Sequence, residues 1–177
     1  MEIIQIKSAD DEHIHSLMPL YQEAFPENQR HTEEDFKALL GSEPDFYCNA
    51  VLMNDNFVGF FNYWDFDWFI YAEHFAILEA IRGNKLGEKV MNMMKPQSDI
   101  PMVFEVELPD EEMAARRIEF YRRLGYEVVP VDYQQPPYNR NGYYQPLFLM
   151  TDQVDFVIEN FEKIKSTIYR RVYKVEL

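Results

Sequence analysis

The stretch Glu73-His74-Phe75-Ala76-Ile77-Leu78-Glu79-Ala80-Ile81-Arg82-Gly83-Asn84-Lys85-Leu86-Gly87 passes from an apolar strand through a glycine-containing loop into a helix. Residues 68–78 are nearly apolar throughout, which predicts a central sheet strand, a platform for neighbouring chemistry. Residues 86–94 carry helical spacing. A strand–loop–helix of this kind aims several backbone N–H groups at one point, at the positive end of a helix dipole, and so offers a phosphate site. Glycines let a ligand approach the backbone closely. The spacing is neither the dinucleotide GxGxxG nor the P-loop. Alone, an R-G-x-x-x-G loop says little, because many surface turns share it.

Outward from this stretch, the chain reads as alternating elements. Residues 2–7 form a strand. Asp10 or Asp11 caps a helix running to Phe25, with Ile14, Leu17, Met18, Tyr21 and Phe25 on one face. Pro19 is expected to kink or shorten that helix. Thr32 N-caps a short helix ending near Leu40, before Gly41. Phe46–Met53 and Phe57–Trp64 flank the turn-prone Asn54-Asp55-Asn56 and predict a hairpin. Pro101–Leu108 is a further strand, and Glu111–Leu124 a helix ended by Gly125 at its C′ position. Tyr126–Val131 and Tyr144–Met150 are the last main strands, and the proline- and tyrosine-rich segment between them reads as a rigid connection. A helix is expected over about 152–166, then a tail that is strand or extended cover. The order implies a mixed α/β fold with an antiparallel first half and one domain over residues 1–177, of which about 151–177 is a helical extension.

A net charge of −14 argues against nucleic acid or an anionic membrane as partner. The charge is uneven: residues 1–60 hold three basic and twelve acidic groups, residues 161–177 five basic and two acidic. Solubility explains this, and steering of a cationic acceptor is the sharper alternative. No apolar run is long enough for a membrane span, and the N-terminus lacks a signal-peptide pattern. With a single cysteine, Cys48, expected to be buried and inert, the composition suits a cytoplasmic protein. His13 and His15 are at i, i+2, which does not put them on one helix face, so no metal is expected.

Two separated segments carry a family resemblance. Glu73–Ile77 with Arg82–Gly87 resembles motif A of the GNAT N-acetyltransferase superfamily, Q/R-x-x-G-x-G/A after its fourth strand. Phe120-Tyr121-Arg122-Arg123-Leu124-Gly125-Tyr126 resembles its motif B, and Phe104-Glu105-Val106-Glu107 stands where the family has its fifth strand. Lys85 replaces the pattern's first glycine. Ala114 stands where many members carry a cofactor-contacting asparagine, a contact that is not carried over. The resemblance implies a GNAT acyl-CoA N-acyltransferase fold: a mixed central sheet flanked by helices, its parallel fourth and fifth strands splayed into a cleft for CoA. It implies acetyl-CoA as co-substrate, with Phe75, Ala76 and Ile77 along the pantetheine arm and Arg82, Gly83, Asn84, Lys85, Leu86 and Gly87 around the pyrophosphate.

The resemblance also implies direct transfer of acetyl to an amine within a ternary complex. An alkylamine with a pKa of about 10.4 is almost wholly protonated at neutral pH, so transfer benefits from a proton acceptor, and the leaving thiolate from an acid. Tyr121 matches the family's acid and Glu105 its base, with Glu73 or water as competitors. Each also has a plain structural reading: Tyr121 as a core-edge aromatic, the strand glutamates as solvated or ion-paired groups, His74 as a hydrogen-bonded sheet histidine. Tyr133, Tyr138, Trp64 and Trp68 are candidates for an aromatic acceptor wall, suited to a cation, or for core. The acceptor is read as a small amine. A protein amino group, or a non-catalytic acyl-CoA-binding or interaction module, are the alternatives, and oligomerisation is left open.

Overall fold

Side-chain alternation sets the first strands: β1 (Glu2–Ile6) lies antiparallel on β2 (Phe46–Met53), with Glu2 opposite Leu52 and Ile6 opposite Cys48. The protein is described by a computed structural model over residues 1–83, 85–96, 99–139 and 142–175. Its packing divides into two compact units, one of Met1–Phe66 with Ala72–Lys95, the other of Asp67–Tyr71 with Pro96–Leu177.

In the first unit, β2 turns through Asn54 and Asp55 into β3 (Asn56–Asp65). Both turn residues take positive φ, 50° and 61°, the conformation in which a two-residue turn matches strand twist. The predicted hairpin therefore forms. Next to β3 comes β4 (Ile70–Ile77), which begins in the second unit and ends in the first. The sheet is covered by α1 (Ile14–Ala24) and α2 (Glu33–Leu39). Tyr21 of α1 packs against Phe36 of α2 at 4.9 Å and Phe60 of β3 at 5.9 Å. Thr32 caps α2 as expected, its Oγ1 accepting from the Asp35 N–H. Pro19 neither breaks nor shortens α1, which runs on for five residues past it. After β4, a loop leads into α3 (Leu86–Met94).

In the second unit, the Ile70 N–H donates to the Pro101 carbonyl at the start of β5 (Met102–Glu107). The helix α4 (Glu112–Arg123) follows, and Gly125 takes φ +89 just past its end, as its C′ placement requires. The strand expected over Tyr126–Val131 is reduced to β6 (Glu127–Val128). Pro130 has no N–H to donate and interrupts the ladder. The chain then rejoins the same edge as β7 (Tyr133–Gln135), inside the segment read as a mere connection. β8 (Gln145–Thr151) pairs antiparallel with β5 along one edge and with β6 and β7 along the other. The C-terminal part also departs from expectation. It splits at Asn160 into α5 (Val154–Glu159) and α6 (Phe161–Arg171), and the first part of the supposed extended tail, residues 167–171, is helix. Asn160 makes the break: its side-chain amide donates to the Phe156 carbonyl while its own carbonyl accepts the first bond of α6.

Candidate active site

The loop after β4 is built to present backbone. Gly83 lies at φ +95 and Lys85 at φ +54, two left-handed residues that turn the chain into α3. Among the described residues no side chain caps α3, whose first turn carries the N–H groups of Leu86, Gly87 and Glu88 at the positive end of the helix. Lys85 is exposed, and Leu86 buries its side chain in the core, leaving the site only its N–H. Arg82 ties the loop back to the strand, its Nε donating to the Ile77 carbonyl at 3.0 Å. An uncapped helix N-terminus with an adjacent cation fits an anionic phosphate. Asn84 lies outside the described residues. Behind β4, Gly59 is pressed against the strand, since a Cβ there would stand 2.4 Å from the Ala76 carbonyl oxygen.

Glu73 points from β4 into the first unit. Its side chain is fully buried; Oε1 accepts from His31 Nε2 at 2.8 Å and Oε2 from the Trp64 indole N–H at 2.9 Å. Burial alone would raise its pKa, but attraction to His31 and His74 and these hydrogen bonds outweigh it and hold the carboxyl at about 2. His74, as expected, is a hydrogen-bonded sheet histidine, with Nε2 2.8 Å from the Gln29 carbonyl. Burial lowers its pKa to about 4 against the opposing pull of Glu73, so the ring is neutral at pH 7. Trp64 is buried at 0% exposure and offers no acceptor wall; it is core, and its polar edge is spent on Glu73. Cys48 is equally buried, and burial pushes its thiol far above the usual range, so it is inert as expected.

Glu105 is the contrasting carboxylate. It leaves β5 partly buried, with Tyr133 donating to Oε1 and both Gln135 Nε2 and the Tyr173 hydroxyl donating to Oε2, the last at 2.7 Å. Tyr71 adds a further hydrogen bond, and its hydroxyl is 3.0 Å from that of Tyr173. Here burial exceeds what these donors recover, and the carboxyl is raised above its ordinary value. Tyr121, on α4, packs against Phe104 with ring centres 4.5 Å apart and the planes tilted by 53°. Phe104 precedes Glu105 on β5, so the two leave opposite faces of the strand, and Tyr121 and Glu105 do not meet. Burial raises the Tyr121 hydroxyl, partly offset by Arg117, so the phenol stays protonated. Among the described residues no His, Cys, Asp and Glu group is arranged for a metal ion. No helix among them is long and apolar enough to cross a membrane.

Sequence reasoning missed Tyr71, Gln135 and Tyr173. Tyr173 had one legible signal: Ile168, Tyr169, Val172 and Tyr173 recur at helical spacing and are all buried, a stripe facing inward from α6 and its last turn.

Residues 14–126 match the acetyltransferase (GNAT) family. A solved structure from Bacteroides thetaiotaomicron, described as a GNAT-family acetyltransferase, is similar over 99% of this chain and 100% of its own, at 33% identity and TM-score 0.92. An aminoglycoside 6'-N-acetyltransferase complexed with coenzyme A aligns over 87% of this chain and 97% of its own, at 18% identity and TM-score 0.63. Arabidopsis thaliana Naa50, in complex with a CoA–peptide bisubstrate analogue, aligns over 86% of this chain and 99% of its own, at 16% identity and TM-score 0.58. One of the last two is named for an aminoglycoside and the other holds a CoA–peptide analogue on the same fold, so the fold does not name the acceptor. A search of curated proteins finds no match. With the family match spanning more than half its length and a full-length relative at 33% identity, the chain belongs to the GNAT family: an acetyl-CoA-dependent acetyltransferase of mixed α/β fold, with β4 and β5 as the parallel pair of a mixed sheet flanked by helices.

Proposed function

We propose that this enzyme transfers the acetyl group of acetyl-CoA directly to the amine of a small molecule, with Glu105 as base and Tyr121 as acid. The observation that carries this reading is the divergence of two strand glutamates. Glu73 is sealed and held ionised at about 2, which makes it a weak and unreachable base. Glu105 is held by neutral donors alone and has a raised pKa, closer to that of a working base. The side chains crowding its carboxylate support a small acceptor over an extended peptide.

The co-substrate is assigned to the first unit. Arg82, Gly83, Lys85, Leu86 and Gly87 would hold the pyrophosphate through backbone N–H groups and the two cations, with Asn84 included by its place in the motif. Phe75, Ala76 and Ile77 would line the pantetheine arm. The thioester supplies an activated acetyl carbonyl. Glu105 takes a proton from the substrate ammonium, directly or through water. The freed amine forms the new C–N bond as the C–S bond breaks, Tyr121 gives its proton to the departing sulfur, and the proton shed by the new amide nitrogen restores Tyr121. The attacking nitrogen and the leaving sulfur share one acetyl carbon, so Glu105, on the face of β5 away from Tyr121, would draw the ammonium proton through water.

Thiol release from acetyl-CoA, followed across a panel of polyamines, amino sugars and arylalkylamines, tests this. At least one amine should support turnover, with Glu105→Gln and Tyr121→Phe each lowering kcat by about 100-fold or more. No turnover with any amine, or full activity in both variants, sinks the proposal.

A further inference from the structure

Three partners of Glu105 come from parts of the chain beyond the family match, which ends at residue 126, while Tyr71 lies within it. Tyr133 and Gln135 belong to β7, and Tyr173 follows α6. Tyr173 is placed by the end of that helix: its N–H returns to the Ile168 carbonyl, Lys174 takes φ +57, and the Val175 N–H returns to the Tyr169 carbonyl. The ring rests against Tyr138 at 4.8 Å, while the hydroxyl reaches Glu105 Oε2 at 2.7 Å. Tyr133 is 3% exposed and Tyr173 7%, so neither hydroxyl exchanges Glu105 freely for water.

The chemistry of these partners is selective. Arginine or lysine would bind the carboxylate as permanent donors and hold it ionised. A phenol both donates and accepts. It donates to ionised Glu105 and, once the carboxyl has taken a proton, can rotate to accept that O–H. Tyr173 has somewhere to send its own proton when it does so, because the Tyr71 hydroxyl stands 3.0 Å away and either can be donor. The titratable groups facing Glu105 are Tyr71 from β4, Tyr133 from β7, Tyr169 from α6 and Tyr173 after it. All are phenols.

We propose that Tyr173 and Tyr133 are positioning residues that hold the Glu105 carboxylate and reverse their hydrogen bonds when it takes the substrate's proton, so that the segment after residue 126 is a working part of the active site. This rests on Glu105 being the base. The test compares wild type with Tyr173→Phe and Tyr133→Phe, which keep the rings, and with Tyr144→Phe, whose exposed ring makes no contact with Glu105. Two readouts are taken: the acid limb of kcat/KM, and the titration of the Glu105 carboxyl by 13C NMR. Removing a donor from the ionised form should move both upward by about one pH unit in Tyr173→Phe and Tyr133→Phe, leaving Tyr144→Phe at the wild-type position. If the carboxyl titration stays put in both variants, the positioning role is overturned whatever the rates do. If the titration moves but the acid limb does not, and Glu105→Gln keeps its rate, the failure belongs to Glu105 as base. Should one variant not fold, the other still decides.

Discussion

Glu73 and Glu105 show how far environment alone can separate two identical side chains. Both leave sheet strands and both are desolvated, yet His31, His74 and Trp64 hold one at about 2, while phenols and an amide leave the other raised. The consequence for stability follows from the direction of each shift. Glu73 is depressed in the fold, so its stabilisation is present above its ordinary pKa and is lost as pH falls toward 2. His74 is depressed from 6.5 to about 4, so the unfolded chain takes up its proton first, and stability is lost between those values as pH falls. Across that window His74 alone contributes on the order of 3 kcal/mol. Thermal unfolding should therefore show Tm dropping steeply from pH 7 to pH 4. His74→Gln, which keeps a donor for the Gln29 carbonyl, should flatten that slope; parallel curves for the two proteins would refute the assignment. Glu105 acts in the opposite sense. Its charge costs stability at neutral pH, so Glu105→Gln should hold or raise Tm while activity falls, a pairing that a purely structural glutamate would not give.

At the scale of elements, the sequence was most readable where local chemistry decides. The Asn54-Asp55 turn, the Thr32 cap and Gly125 after α4 each need only a few neighbouring residues, and each formed as expected. What lay beyond reach was long-range pairing. Glu105 finds three of its partners 28, 30 and 68 residues away, and nothing in the strand itself names them. The short β7 was hidden because the proline- and tyrosine-rich segment that holds it, with Pro136 and Pro137 just beyond, looks like a connection, although the edge of β8 had room for two separate stretches. Trp64 read as site or as core, and its complete burial together with its bond to Glu73 decides for core. Gly59 belongs with these cases, since a lone strand glycine looks incidental until β4 is laid beside it. Its missing Cβ would meet the Ala76 oxygen at 2.4 Å and Ile77 Cδ1 at 2.7 Å, and the first of these is backbone that cannot rotate away. Gly59→Ala should cost about 1–3 kcal/mol, read by denaturant unfolding. Because Ala76 and Ile77 belong to the segment assigned to pantetheine, KM for acetyl-CoA should rise more than KM for the amine. An equal rise in both would detach Gly59 from the co-substrate side.

For the whole molecule, the net charge of −14 acts on the two substrates in opposite senses. An ammonium acceptor is drawn toward a chain of this sign, whereas acetyl-CoA, with its phosphates, must approach against it and rely on local donors at the α3 N-terminus. Fixed surface charges act over a Debye length of about 8 Å at physiological salt, so added salt weakens the long-range field first and close contacts last. Raising ionic strength from about 0.02 to about 0.5 M, a range that shortens the Debye length several-fold, should therefore lower kcat/KM for a cationic amine. Over the same range kcat/KM for acetyl-CoA should hold or rise, because the repulsive field is screened while the short-range pyrophosphate contacts largely survive. An acceptor bearing a carboxylate beside its amine should lose most of the salt sensitivity, which separates steering from a general effect of salt on the fold. Parallel losses for both substrates would show that the acidic surface serves solubility alone. The uneven placement of charge, three basic against twelve acidic groups in residues 1–60 and five against two in residues 161–177, would then have no part in capture.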